Sequence, residues 1–290
     1  MSTPRFLQLP PAVRRTTVRT PRGSFAVLEA LPVGEPERHP ALLVPGFTGS
    51  KEDFLGVLQT LTGAGRRVLA LDMRGQHDSP GCDDPSRYLL PELGADVAEI
   101  LVALGPEPVH LVGHSFGGLV TREAVLAEPA MVASYTLMAS GPAAIDGPSA
   151  QKAAALRDAL TGALSMEQIW QIKLGPDARA AGWAEEIIEF LRHRYLNNCT
   201  TGLVTMAGEL LSAPDRTADL AKAADDTDLP IMVLYGEDDD AWLPETQAAM
   251  SARLEAARVV IPGAAHSPAW EAPETTAHAL TDFWNSAERR

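Results

Sequence analysis

The sequence predicts an α/β fold: a mostly parallel, twisted sheet of about eight strands flanked by helices, with one helical insertion. Three observations predict it. Short, continuously apolar runs recur along the chain. Helix-patterned segments separate them. About ninety residues without a strand signal then interrupt the alternation, between Ser140 and Ile231.

Residues 1–12 read as a loose, proline-containing lead-in. Val13 to Thr20 and Ser24 to Leu31 are β-like, and Pro21-Arg22-Gly23 between them signals a hairpin. Apolar runs follow at 41–47, 67–73, 109–114, 134–140, 231–236 and 257–263. Strands buried on both faces of a parallel sheet have this texture. Helix candidates span 51–63, 92–104, 117–128, 245–255 and 273–287, and Ser50-Lys51-Glu52-Asp53 is a capping-box start for the first. Such alternation implies right-handed crossovers that cover the sheet on both sides. Within the interrupting stretch, Leu156, Leu160 and Leu164 share one helical stripe of the run 151–164. Trp183, Ile187, Leu191 and Tyr195 share another in 183–195. The expected organisation is a core of 13–140 and 229–290 carrying a helical cap, 141–228.

A chain of 290 residues accommodates one α/β domain with an insertion. Its 46% hydrophobic and 21% charged residues suit a sizeable core. The formal net charge of -14 repels phosphate backbones and anionic headgroups, so nucleic acid and membrane surfaces are not expected partners. A small-molecule substrate is expected, and the oligomeric state stays open. Cys82 and Cys199 make neither a disulfide framework nor a metal site; a reduced compartment is the simpler reading, with one bridge between them as the alternative. The N-terminal residues lack the apolar core of a signal peptide, and no stretch of about 18 apolar residues exists. A cytoplasmic protein is expected.

Gly113-His114-Ser115-Phe116-Gly117 fits G-x-S-x-G. Three fixed positions alone are weak evidence, but the motif has the buried strand before it and the helix after it that a nucleophile turn requires. Such a turn strains the nucleophile, and its neighbours two residues away must be small so that strand and helix can approach. It also sets Ser115 at a helix N-terminus, where N–H groups favour negative charge.

A serine hydroxyl needs a base to take its proton. Of the seven histidines, His266 alone lies on a loop directly after the last strand-like run. His114 adjoins Ser115 but points away from it, a structural position. His39 and His278 read as surface residues, while His77 and His193 are placed to line a cleft and a lid. An acid between Ser115 and His266 would orient the imidazole. Glu237, Asp238, Asp239 and Asp240 follow the run 231–236, and they cannot all be buried and ionised.

Together these residues resemble the α/β-hydrolase superfamily, in its cap-bearing, esterase-like form. Gly113 to Gly118 looks like its nucleophile elbow, and Gly263-Ala264-Ala265-His266-Ser267-Pro268 like its histidine loop. Gly236-Glu237-Asp238-Asp239 looks like its G-x-x-D acid turn, which favours Asp239, with Asp240 as the alternative. Asp72 to Ser79 resembles its D-x-R-G-x-G-x-S turn, His77 replacing the second glycine. The resemblance spans about residues 20–286.

It implies an oxyanion hole built from the backbone N–H groups of Phe116 and Phe47, with Pro45 standing where the family often has histidine. The implied reaction is cleavage of a carboxylic ester, thioester, lactone or amide through an acyl-enzyme on Ser115, without cofactor or metal. The acyl group is expected to be small to medium and largely apolar. Carbon–carbon bond hydrolysis and cofactor-free perhydrolysis use similar groups. A ligand receptor on the same fold is the non-enzymatic alternative. In the cap, Trp170 and Trp183 are the expected substrate-binding residues, although most such apolar residues would simply be cap core.

Overall fold

Strands β1 (Val13–Thr20), β2 (Gly23–Ala30), β3 (Ala41–Val44), β4 (Val68–Leu71), β5 (Val109–His114), β6 (Val132–Met138), β7 (Ile231–Gly236) and β8 (Ala257–Ile261) form one sheet. This is seen in a computed structural model, which describes residues 2–36, 38–162 and 164–289. The strands lie in the order β1-β2-β4-β3-β5-β6-β7-β8. β2 pairs antiparallel with both β1 and β4, and every pair from β4 onward to β8 is parallel.

Helices α1 (Leu55–Gly63), α2 (Leu90–Leu104) and α3 (Phe116–Ala127) alternate with the early strands. Between β6 and β7 the chain forms α4 (Gly147–Thr161), α5 (Met166–Ile169), α6 (Gly175–Ala180), α7 (Glu185–Leu196), α8 (Thr200–Ser212) and α9 (Thr217–Thr227). It ends in α10 (Pro244–Arg253), α11 (Pro268–Glu271) and α12 (Pro273–Ala287). Ala163, inside the expected helix 151–164, lies outside the described residues.

The fully buried β3 shows why its sequence is continuously apolar. Leu42 and Val44 enter one core with α2 and α3, while Ala41 and Leu43 enter the other with α1 and α12. A third apolar cluster, including Leu160, Ile169, Trp170, Ile187, Leu191 and Tyr195, belongs to the helices between β6 and β7. Phe47 packs against both this cluster and the α2/α3 core. The insertion therefore meets the sheet domain at the loop that follows β3.

Three sequence expectations are refined. β3 stops at Val44, short of Phe47, because Pro45 has no N–H to continue the ladder. α8 and α9 were not singled out in the sequence, although α8 buries an unbroken stripe of Leu203, Met206, Ala207 and Leu210 at helical spacing. The lead-in is docked rather than loose. Arg194 donates to the Ser2 carbonyl at 2.8 Å, Ser2 Oγ hydrogen-bonds Ser267 Oγ at 2.8 Å, and Phe6 meets the Trp270 ring edge-on at 5.2 Å. Ties to residues so distant in sequence leave no local pattern. No described helix is long and apolar enough to cross a membrane.

Candidate active site

Ser115 sits at the junction of β5 and α3 with φ 56° and ψ -123°. This is a costly conformation for a side-chain-bearing residue, held only where its surroundings over-determine it. Here the Ser115 N–H donates to the Met138 carbonyl at 2.9 Å, and its own carbonyl accepts from Gly118 N–H at 2.8 Å. The close approach explains Gly117. A Cβ there would stand 2.3 Å from the Pro45 carbonyl oxygen and 2.5 Å from that of Val44.

His266 arrives on the loop after β8. Its Nδ1 lies 2.9 Å from Asp239 Oδ1, and its Nε2 lies 2.9 Å from Ser115 Oγ. An ionised carboxylate only accepts, so the proton resides on Nδ1 and the Nε2 lone pair accepts from the Ser115 hydroxyl. This is the arrangement in which an imidazole takes a proton from serine.

Asp239 is buried, whereas Glu237, Asp238 and Asp240 are exposed. Its Oδ1 also accepts from Ala241 N–H at 2.9 Å, and its Oδ2 accepts from Gln247 Nε2 at 2.9 Å. Burial alone would push this carboxyl up. The His266 contact, followed by the Ala241 and Gln247 hydrogen bonds, outweighs burial and holds it below its ordinary value. It is therefore a carboxylate at neutral pH.

The His266 loop is held from two sides. Glu271 Oε2 accepts from the N–H groups of Ala265 and Ser267 at 2.8 and 3.0 Å. His114 Nε2–H donates to the His266 backbone carbonyl at 2.7 Å. Burial first, then the neighbouring His266, pushes the His114 imidazole down to about 3, so it is neutral. The Trp242 ring lies 6.4 Å from the His266 ring, and its Nε1–H donates to the Ala143 carbonyl at 3.2 Å.

Phe116 is the first residue of α3, so its N–H has no intrahelical acceptor. The Phe47 loop lies against the serine: a Cβ on Gly46 would stand 3.0 Å from Ser115 Cβ. The Phe47 and Phe116 rings meet edge-on at 6.4 Å. Gln76 Nε2 donates to the Gly46 carbonyl at 3.0 Å, and Lys51 ties the far end of the loop to Asp72 at 2.7 Å. Thus the Asp72–Ser79 turn braces the loop after β3. His77, where a glycine was expected, adopts φ 43°, a left-handed conformation that histidine visits more readily than most side chains.

The structure brings Ser115, His266 and Asp239 together and sets Phe47 and Phe116 beside them. Trp170 is buried in the insertion's own cluster, 6.3 Å from the Tyr195 ring, and Trp183 is half-buried against the same cluster. Sequence reading missed Gln247 as a support for Asp239, and the bond from His114 to the His266 carbonyl. A glutamine inside a helix carries no local signal, but a histidine between the elbow glycine and serine was a visible one.

A model of the alpha/beta hydrolase family matches residues 41–279. The chain is 31% identical over 248 residues to a Pseudomonas putida protein, the dihydrolipoyllysine-residue acetyltransferase component of an acetoin cleaving system. That match covers 84% of this chain and 63% of that protein. It is 38% identical over 106 residues to the sn-1-specific diacylglycerol lipase ABHD11 of Xenopus tropicalis, covering 36% of this chain and 32% of the lipase. The chain thus spans less than two thirds of the length of these curated relatives. The solved structure of a hydrolase from Pseudomonas aeruginosa PA01 is similar with a TM-score of 0.73 and 25% identity, covering 93% of this chain and 98% of that one.

Proposed function

The chain belongs to the alpha/beta hydrolase family, and on that premise we propose that it is a serine hydrolase cleaving carboxylic esters through an acyl-enzyme on Ser115. The observation that carries this reading is the unbroken relay of two 2.9 Å hydrogen bonds from Ser115 Oγ through His266 to Asp239.

His266 Nε2 takes the hydroxyl proton as Ser115 Oγ attacks the ester carbonyl. Asp239 orients the ring and stabilises the imidazolium. The Phe47 and Phe116 N–H groups receive the developing oxyanion. His266 then protonates the departing alkoxide, and water reverses the sequence on the acyl-enzyme. None of these steps calls for a metal or cofactor.

Residues 141–228 act as a cap over the site, and their apolar cluster, which packs against Phe47, favours a small to medium, largely apolar acyl group. Trp183, half-buried at the edge of that cluster, and Trp170 within it set the acyl length. Thioesters and lactones share the carbonyl chemistry and are secondary candidates. The lipase among the similar proteins fits ester cleavage. The free Cys82 and Cys199 fit a reducing, cytoplasmic setting.

Steady-state hydrolysis of p-nitrophenyl esters of increasing acyl length tests this, with Ser115→Ala alongside. Turnover that favours short or medium chains and vanishes in the variant supports the reading. Turnover that persists in the folded variant overturns it.

A further inference from the structure

Away from the triad, Glu52, His77 and Asp78 converge. Glu52 lies in the short 3-10 turn Lys51–Phe54 that follows the Phe47 loop, and the other two lie in the turn after β4. His77 Nε2 is 3.9 Å from Glu52 Oε2 and 3.6 Å from Asp78 Oδ2. One donor atom from each residue lies within 4.8 Å of the others. A tetrahedral ion with bonds of about 2.0–2.1 Å holds its donor atoms roughly 3.3–3.4 Å apart. Reaching that spacing takes an approach of about 0.5 Å between His77 and Glu52, and of up to about 1.5 Å at the half-exposed Asp78.

Among the described residues, one carboxylate oxygen of this group is left without a partner, although the Lys51 ammonium stands close by. Glu52 is 1% exposed, and its Oε2 has no hydrogen-bond partner among the described residues. Leaving such an oxygen bare in the interior is costly. Three carboxylates share one ammonium: Lys51 Nζ lies 2.7 Å from Asp72, 2.7 Å from Asp78 and 3.3 Å from Glu52 Oε1. Arg15 reaches only that same Oε1, at 3.9 Å. Both cations thus address one oxygen of Glu52, and the bare one faces His77.

The exposed His193 of α7 lies just outside this group: its ring is perpendicular to that of His77 with centres 5.6 Å apart, so a side-chain rotation would bring it within reach as a fourth donor. A cleft of about 420 Å³, lined in part by His77, Asp78 and Asn197, opens here to solvent. We propose that Glu52, His77, Asp78 and His193 form a binding site for a zinc-class divalent cation, which staples α7 to the turn after β4. Two imidazoles with two carboxylates suit zinc, whereas calcium and magnesium prefer all-oxygen sets. The ion is structural and stands outside the Ser115 chemistry.

The test uses the full chain, stripped with a chelator and titrated with zinc chloride by calorimetry. His77→Gln and the exposed His193→Gln are measured in parallel. The expected result is one ion per chain, affinity weakened at least about 10-fold in each variant, and a zinc-induced rise in Tm confined to the wild type. Cobalt(II) should give a visible spectrum without a thiolate charge-transfer band, although Cys82 and Cys199 line the same cleft. No saturable binding by the folded wild type, equal affinity in His193→Gln, or a thiolate band would each overturn the proposal.

Discussion

His114 and His266 are joined by a 2.7 Å hydrogen bond from the neutral His114 Nε2–H to the backbone carbonyl of His266. The elbow thus carries both the candidate nucleophile and a strut for the loop that brings the base to it. Losing a buried hydrogen bond costs about 1–3 kcal/mol. If that cost appears in base positioning, His114→Ala lowers kcat by about 10–100-fold with KM nearly unchanged. Steady-state kinetics beside a melting curve decide the matter. A lowered Tm with kcat intact would make the contact purely structural.

Asp239 and Asp240 are adjacent in sequence and opposite in environment. Only Asp239 is buried and bonded to His266. Asp239→Asn therefore lowers kcat by about 10⁴-fold, since an amide no longer selects the Nδ1–H tautomer. Asp240→Asn leaves kcat within about 2-fold, as expected for an exposed carboxylate. The reverse ranking in the same assay would move the acid to Asp240.

Glu288 gives a pH signature far from the site. It accepts from His110 Nε2 at 2.9 Å and Arg66 Nη1 at 2.8 Å. Partial burial opposes its charge, but the His110 hydrogen bond and then the Arg66 pair outweigh burial and pull its carboxyl from 4.5 to about 2. A depressed carboxylate contributes stability that is present above pH 4.5 and lost as pH falls through about 2. Glu288→Gln should lower Tm by a few degrees at pH 7, with the difference shrinking below pH 4.5. A difference independent of pH over that window would contradict the assignment.

The two tryptophans of the helical insertion should behave differently. Trp170 is 4% exposed in the apolar cluster between β6 and β7, so Trp170→Ala destabilises by about 3–5 kcal/mol, and its change in ester preference comes with lowered stability. Trp183 is only half-buried, so Trp183→Ala shifts acyl-chain preference toward longer esters with little change in Tm. An unchanged preference profile in Trp183→Ala would remove it from the substrate path.

Much of the frame was legible because buried parallel strands are mostly continuously apolar, as β3 and β4 are, and because the elbow glycines answer steric demands visible in a motif. Ser115 and His266 were legible from their place at strand ends. The choice of Asp239 among four consecutive acids rests on burial, which no sequence window displays; only the family resemblance pointed to it. Gln247, eight residues further on, and the docked Ser2 were invisible because their partners come from distant elements. Lys51 and Glu52 read only as part of a capping-box helix start, and no sequence pattern showed that both are 1% exposed in a network that spans two loops. Charged residues buried by mutual pairing break the rule that links polarity to surface.

The central claim is that Ser115 is an activated nucleophile. Intact-mass measurement after incubation with a small fluorophosphonate, on wild type and Ser115→Ala, tests it most directly. The account predicts one covalent adduct per chain, absent in the variant. An unmodified, folded wild type, or an adduct that survives in Ser115→Ala, would contradict it and turn attention to a ligand-binding role for the same fold.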